Sequence, residues 1–294
     1  MALDTTKVQL PKSVVTELVG KVKDTSTIAA LSPSQPQLFT DQTHMIFNPS
    51  SEAEVVAEGA KKGVYEQTVT PVEGKIFKVQ TTTRVSNELE WADEDNQLEI
   101  ISNIQQDQRE AIGRALDYVV YHAVNPKGGA PLSGFTALTT GANSITATDD
   151  HVADIDSMAD ALIDYNITGI AMSRGFASDL RKLRVPATGL RLYPEIPLSL
   201  QTGNFDGIPA ATSGTVNGKL ATKATKVLSI MGDFNLIKWG MVRDMWAEII
   251  PYGDPDGTGV DLKSVNQVAY RTEAVFAYAV LDAKGFAVLK SSAA

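Results

Sequence analysis

Residues 96–124 contain no proline and carry Leu98, Ile101, Ile104, Ala111, Ile112, Ala115, Leu116, Val119 and Ala123 at spacings of three and four, the pattern of one buried helical face. The carboxylates of Glu88, Glu90, Asp93, Glu94 and Asp95 crowd its start, where a helix dipole favours them. Asn125-Pro126-Lys127-Gly128-Gly129 ends it. At 1.5 Å per residue such a helix is on the order of 40 Å long, well above the ~11-residue mean. It should act as a one-sided spine, with Ile104 and Leu116 inside and Gln108 on the solvent face.

Upstream, residues 1–38 read as an arm: an amphipathic stretch at 11–22, then a connector kept extended by Pro33 and Pro36. Residues 38–47 suit a strand, broken at Asn48-Pro49-Ser50-Ser51. Two further strand-like stretches, 54–58 and 76–86, flank a polar tip with Lys61, Lys62 and Gly63. Together they describe a long hairpin. An arm of ~15 residues reaches about 50 Å, and an isolated two-stranded ribbon is only marginally stable in water. Something outside the hairpin must hold it.

Downstream, helices are expected at 154–165 and 176–183, and strands at 167–173, 227–234 and 246–250, which together make a compact α/β or α+β domain. Strands at 265–281 and 286–289 should return to pack beside the long helix.

Composition excludes several classes. The chain has no cysteine, which removes disulfides and thiolate metal sites. No stretch reaches the ~18 apolar residues of a membrane span, and the opening MALDTTKVQLPKSVV does not resemble a signal peptide. A formal net charge of −9 opposes sequence-independent binding of nucleic acid, which needs cations to neutralise phosphates.

Catalytic signatures fail one by one. In Gly169-Ile170-Ala171-Met172-Ser173-Arg174-Gly175, alanine holds the first glycine position of a nucleophile elbow. Gly214-Thr215-Val216-Asn217-Gly218-Lys219 is one residue short of a phosphate loop and is followed by Leu220. Asp254-Pro255-Asp256-Gly257-Thr258-Gly259 begins like a calcium loop, but Val265 stands where the bidentate glutamate belongs, so it reads as a surface turn. His44, His122 and His151 lack metal-ligand spacing. Trp91, Trp239 and Trp246 are assigned to the core ahead of an interface. No catalytic residue, cofactor or metal is expected.

The order of parts carries a resemblance. An arm, a hairpin opening with AEVVAEGAKK (53–62), a strand ending in VSNEL (85–89), a long helix and a glycine-rich segment (128–134) precede an α/β domain with late strands. In this order the chain resembles the HK97-like major capsid family of tailed bacteriophages. The resemblance implies an α+β fold with an N-arm (1–38), a peripheral domain (39–149 and 251–294) that includes an extended loop (50–80) and the spine helix (96–124), and an axial domain (150–250).

The function implied is a shell protein that self-assembles into the hexamers and pentamers of an icosahedral head, enclosing DNA with only weak contact to it. An encapsulin-type nanocompartment shell is the alternative. The implied partners are other copies of the chain, a separate scaffolding protein, a portal and a decoration protein; the implied location is the virion, with assembly in the bacterial cytoplasm and no membrane. Lys61, Lys62, Gly63 and Tyr65 are the residues implied for contact between subunits.

Some members of the family join a loop lysine to an asparagine of the neighbouring subunit, with a carboxylate to move the proton. Asn266 and Glu273 have a similar spacing here, but Pro71 falls about where the lysine should be, and Lys75 and Lys78 lie nearer the loop base. A four-residue shift along a strand moves a side chain ~13 Å, so Asn266 and Glu273 are assigned ordinary hydrogen bonds.

Overall fold

The computed structural model describes residues 25–35, 43–47, 53–64, 69–96 and 99–292. In chain order their elements are α1 (Thr27–Leu31), β1 (Thr43–Phe47), β2 (Val69–Glu73), β3 (Lys75–Ser86), α2 (Asn87–Asn96), α3 (Ile100–His122), α4 (Leu138–Gly141), β4 (Asn143–Thr146), α5 (His151–Asp160), β5 (Gly169–Met172), α6 (Arg174–Lys182), β6 (Asn204–Phe205), β7 (Ile208–Thr212), β8 (Val227–Gly232), β9 (Ile237–Ile250), β10 (Gln267–Val280) and β11 (Phe286–Lys290).

The long helix is α3, and it begins at Ile100 instead of 96. Glu99 turns into the left-handed region at φ 56°. The Asp93 carboxylate on α2 accepts from Ile100 N at 2.7 Å and from Ile101 N at 3.1 Å. This carboxylate therefore caps the helix from outside it, satisfying donors that have no partner within the first turn. At the far end Ala123, at φ 51°, donates its N–H to the carbonyls of Tyr118 and Val119, a left-handed cap. The glycines that follow permit a close crossing: a Cβ on Gly129, at φ 69°, would sit 2.1 Å from the Leu220 carbonyl oxygen.

One face of α3 was misread. Gln108 is buried, not solvent-facing. Its Nε2 donates to Thr83 Oγ1 and to the Tyr270 carbonyl, each at 2.9 Å, and its Oε1 accepts from Thr272 Oγ1 at 2.7 Å. Gln108 stands on the same i, i+4 row as Ile104, Ile112 and Leu116, so it is a polar residue within the buried stripe. Gln108→Ala should therefore cost about 2–3 kcal/mol in urea unfolding, because buried hydroxyl and carbonyl groups lose their partner. A loss under about 0.5 kcal/mol would return the residue to the surface.

α3 lies along one face of a three-stranded antiparallel sheet ordered β3-β10-β9. β10 runs in unbroken register with β3, from Gln267 opposite Ser86 to Tyr278 opposite Lys75. Ala274, Phe276 and Tyr278 share one cluster with Ile112, Leu116 and Val119. β9 is far longer than the 246–250 read from the sequence, where Gly240 and the charged run at 243–244 interrupt the apolar pattern.

The second sheet has six strands, ordered β4-β11-β8-β5-β7-β6. β11 packs against the end of α3 as expected, but from a different sheet. It pairs parallel with β4 and antiparallel with β8, so it belongs to this sheet and not to the one beside α3. It is buried on both faces: Phe286 and Val288 join the cluster at the end of α3, while Ala287 and Leu289 join Met158 and Phe176 beneath α5 and α6. That explains its uninterrupted apolar sequence. The strands thus cross the boundaries drawn at 150 and 250.

The arm also needs correction. Residues 25–35 are not loose, since Thr27, Ile28 and Ser32 are buried. Trp239 Nε1 donates to the Ser32 carbonyl at 3.0 Å, and Gln35 N donates to the Trp239 carbonyl at 2.9 Å. Residues 11–22 lie outside the described residues.

Candidate functional site

Three features stand apart from core packing: a hairpin with no core of its own, an arginine clasp, and a buried carboxylate that fastens the arm.

The hairpin differs from the one read in the sequence. Its paired arms are β1 and β2, from Thr43 opposite Glu73 to Phe47 opposite Val69. Residues 54–58 form no strand, and 76–86 belong to β3 in the long sheet. Opposed residues share a face of a ribbon, so Met45, Phe47, Val69 and Pro71 lie together on one side. Met45 is 69% exposed and Phe47 is 65% exposed. Such a face on a two-stranded ribbon marks a surface awaiting a partner.

Beyond it, every residue of 53–64 is exposed, including Lys61, Lys62 and Gly63. The turn is at Ala57–Ala60, closed by Ala60 N donating to the Ala57 carbonyl at 3.0 Å, while Gly63 N donates to Glu54 Oε2 at 3.0 Å. Tyr65 lies outside the described residues.

Three of the four residues weighed for covalent joining have side-chain partners within the chain. Lys78 Nζ is 2.6 Å from Glu273 Oε2. Asn266 Nδ2 donates to Glu88 Oε1 at 2.6 Å, and Asn266 Oδ1 accepts from Asn87 Nδ2 at 2.8 Å. Lys75 opens β3, opposite Tyr278. Asn266 and Glu273 lie seven residues apart along the chain, ~23 Å for an extended strand, and they serve separate contacts.

The Asp-Gly turn at 254–259 is a clasp. Arg84 donates from Nε to both carboxylate oxygens of Asp256 (2.9 and 3.0 Å), from Nη2 to Asp254 at 2.6 Å and to Thr258 Oγ1 at 2.7 Å, and from Nη1 to the Val260 carbonyl at 3.1 Å. Nη2 also contacts Asp256, which completes the fork. The planar guanidinium organises what looked like a calcium loop. Among the described residues there is no group of His, Asp or Glu side chains able to hold a metal.

Sequence reasoning missed Asp117. It sits in the last third of α3 and is fully buried. Five donors reach its carboxylate: Ser26 Oγ (2.6 Å), Thr27 N (2.8 Å), Thr27 Oγ1 (3.0 Å), Ile28 N (3.2 Å) and Thr215 Oγ1 (2.5 Å). One side chain therefore ties the arm, the long helix and the 213–217 turn together. Burial holds its pKa above the usual carboxylate value, and the hydrogen bonds from Ser26, Thr215 and the Thr27 and Ile28 amides pull against that shift. Beside it, Tyr121 OH meets Thr27 Oγ1 at 2.9 Å. The available signal was a lone carboxylate among apolar neighbours in a stripe, which must find partners or be excluded.

The other sequence candidates settle into structural roles. Ser173 caps α6, with Oγ accepting from Phe176 N at 3.3 Å. His122 Nε2 faces the Thr215 carbonyl at 3.0 Å, and burial holds its pKa below the usual histidine value. Trp239 is buried, whereas Trp91 is exposed and Trp246 is half-buried, with the Arg243 guanidinium 4.2 Å from its ring centroid.

Comparison with known proteins decides the family. The sequence matches the phage capsid family over residues 7–291. The chain belongs to that family. A chain from Mycobacterium phage Ogopogo is similar at 33% identity and TM-score 0.86, over 99% of this chain and 100% of that one. A chain from Gordonia phage Cozz follows at 28% identity and TM-score 0.82, over 98% and 93%. The fold is shared with a chain titled capsid of native GTA particle, at 12% identity and TM-score 0.66, over 97% and 96%. No curated protein matches. This phage capsid protein is a major shell subunit of mixed α/β architecture, with a structural role in the virion; the encapsulin alternative is not favoured.

Proposed function

We propose that this capsid protein builds its shell from rings, hexamers and pentamers, joined by heterologous contacts in which the β1–β2 hairpin of one copy lies over the next. One observation carries the reading: an exposed apolar ribbon face, with Met45 and Phe47 about two-thirds exposed, beyond which every residue of 53–64 is exposed. Ring contacts match one surface to a different surface on the neighbour, and a projecting hairpin supplies the first of the two. Lys61, Lys62 and Gly63 sit at its end and are assigned to this contact.

On the HK97-like plan, α3 is the spine and the β3-β10-β9 sheet the peripheral domain. The six-stranded sheet is the axial domain, which takes in β4 and β11 and leaves out β9. Scaffolding, portal and decoration proteins complete the partners, assembly takes place in the host cytoplasm, and packaged DNA is touched weakly by a subunit of net charge −9. Negative-stain microscopy of the expressed chain tests the reading. Rings or closed shells of uniform size support it, and a persistent monomer under assembly conditions refutes it.

The shell is held without covalent joints, because Lys78 is already paired with Glu273 and the Asn266 amide is bonded on both atoms. Particles boiled in detergent should run as one band near 31.5 kDa. A ladder that disappears in Lys75→Ala or Lys78→Ala would contradict this.

A further inference from the structure

We infer that the short hairpin after α6 is a binding site for a phosphate group, held by Arg184 and Arg191 with Arg181 beside them. Between Leu180 and Leu192 stand Arg181, Lys182, Arg184 and Arg191 and no acidic residue, in a chain whose net charge is −9. Arg184 and Arg191 oppose each other across an antiparallel bridge. The bonds that flank it run from Val185 N to the Leu190 carbonyl at 2.9 Å and from Leu192 N to the Leu183 carbonyl at 3.1 Å. They make it a narrow, non-hydrogen-bonded pair, in which Cα atoms are ~4.5 Å apart and both side chains leave from one face. Like charges placed in this way destabilise a ribbon. The turn that enforces the placement is short, with Gly189, at φ 69°, donating its N–H to the Val185 carbonyl at 2.8 Å.

Among the described residues nothing offsets this repulsion. Lys182 pairs with Asp179 at 2.8 Å, whereas no described carboxylate comes within ion-pair distance of Arg181, Arg184 or Arg191. Arg184 is also drawn toward Arg181, because its Nη1 donates to the Arg181 carbonyl at 2.9 Å and to the Leu183 carbonyl at 3.1 Å. Cations at the end of α6 suit the helix dipole, which accounts for Arg181 and Lys182, but Arg191 lies on the far side of the turn. Guanidinium groups carry planar sets of donors that match a phosphate bidentately. Among the described residues Arg184 uses Nη1 alone. A phosphate between the two guanidiniums takes up their remaining donors and removes the repulsion. Arg184 is exposed and Arg191 half-buried, so the site opens to solvent and suits a phosphate within a longer chain, whether a free polyphosphate or the backbone of DNA. It lies within one subunit and does not depend on how the copies meet.

Calorimetric titration of the full chain with tripolyphosphate, at neutral pH and constant ionic strength, tests the site. Binding should saturate, and Arg184→Gln and Arg191→Gln should each weaken it about tenfold. Arg191→Lys, which keeps the charge and loses the planar fork, should fall between. No saturable binding, or equal affinity in every variant, would overturn the proposal. Urea unfolding without the anion separates a binding role from a structural one. Arg191→Gln relieves the like-charge pair and should be at least as stable as the unmodified chain, and a clear loss of stability would overturn the proposal by making the arginine a structural element. Competition identifies the source of the phosphate. Displacement of tripolyphosphate by duplex DNA assigns the site to the DNA backbone, and failure to displace it assigns a free polyphosphate; either result upholds the site. Citrate binding as tightly as tripolyphosphate would overturn the phosphate assignment and give the pair to carboxylates of a protein partner.

Discussion

Replacing Asp117 with alanine should destabilise the subunit by about 3–5 kcal/mol, the range for removing one partner from a buried charged network. The carboxylate gathers five donors, two of them backbone N–H groups of Thr27 and Ile28. With it gone, those amides remain buried beside a void, and each unsatisfied group costs roughly 1–3 kcal/mol. Asp117→Asn should be little better, because its amide nitrogen would face donors. Urea unfolding checks the magnitude, and Gln106→Ala, an exposed site on the same helix, should change stability by less than about 0.5 kcal/mol. The loss should be local first: amides at 27–32 should exchange faster than those of β10. Equal stability of the aspartate and alanine forms would mean that the arm is held by its apolar contacts alone.

Deleting residues 53–64 should abolish closed shells while leaving a folded subunit. Every residue of the segment is exposed and none belongs to either main cluster, so its removal leaves the three- and six-stranded sheets intact. Circular dichroism and the unfolding midpoint should stay close to those of the full chain, while sedimentation shows no particle of shell size. Shells of normal stability without the segment would show that the contact between copies lies elsewhere. A charge-only change, Lys61→Ala with Lys62→Ala, should act more mildly, since exposed pairs contribute about 0–1 kcal/mol each.

Much of this arrangement was legible in the order of the sequence. The three-and-four spacing located α3 to within a few residues, and the glycine-rich stop located its end. Strand-like composition found β3, and apolar content found β10, which is buried along nearly its whole length. What failed did so for identifiable reasons. Residues 54–58 have strand character but no strand partner among the described residues, so local sequence could not say that Thr43–Phe47 pairs with Val69–Glu73 instead. β11 reads as apolar throughout and therefore has no preferred face, which left its sheet undetermined. Gln108 and Asp117 are polar positions in buried stripes, and only the placement of Thr83, Tyr270 and Thr272 around one, and of Ser26, Thr27 and Thr215 around the other, reveals them as satisfied core. The Arg84 clasp could not be seen locally, since the loop that binds it is about 170 residues away in the sequence.

A density map of the assembled particle, at a resolution that traces the backbone, measures the central claim directly. The account predicts that density for residues 43–73 of each subunit leaves its own α3 and lies on the adjacent copy of the same ring. Density showing the hairpin folded back on its own subunit, or projecting into solvent with no neighbour beneath it, would contradict it.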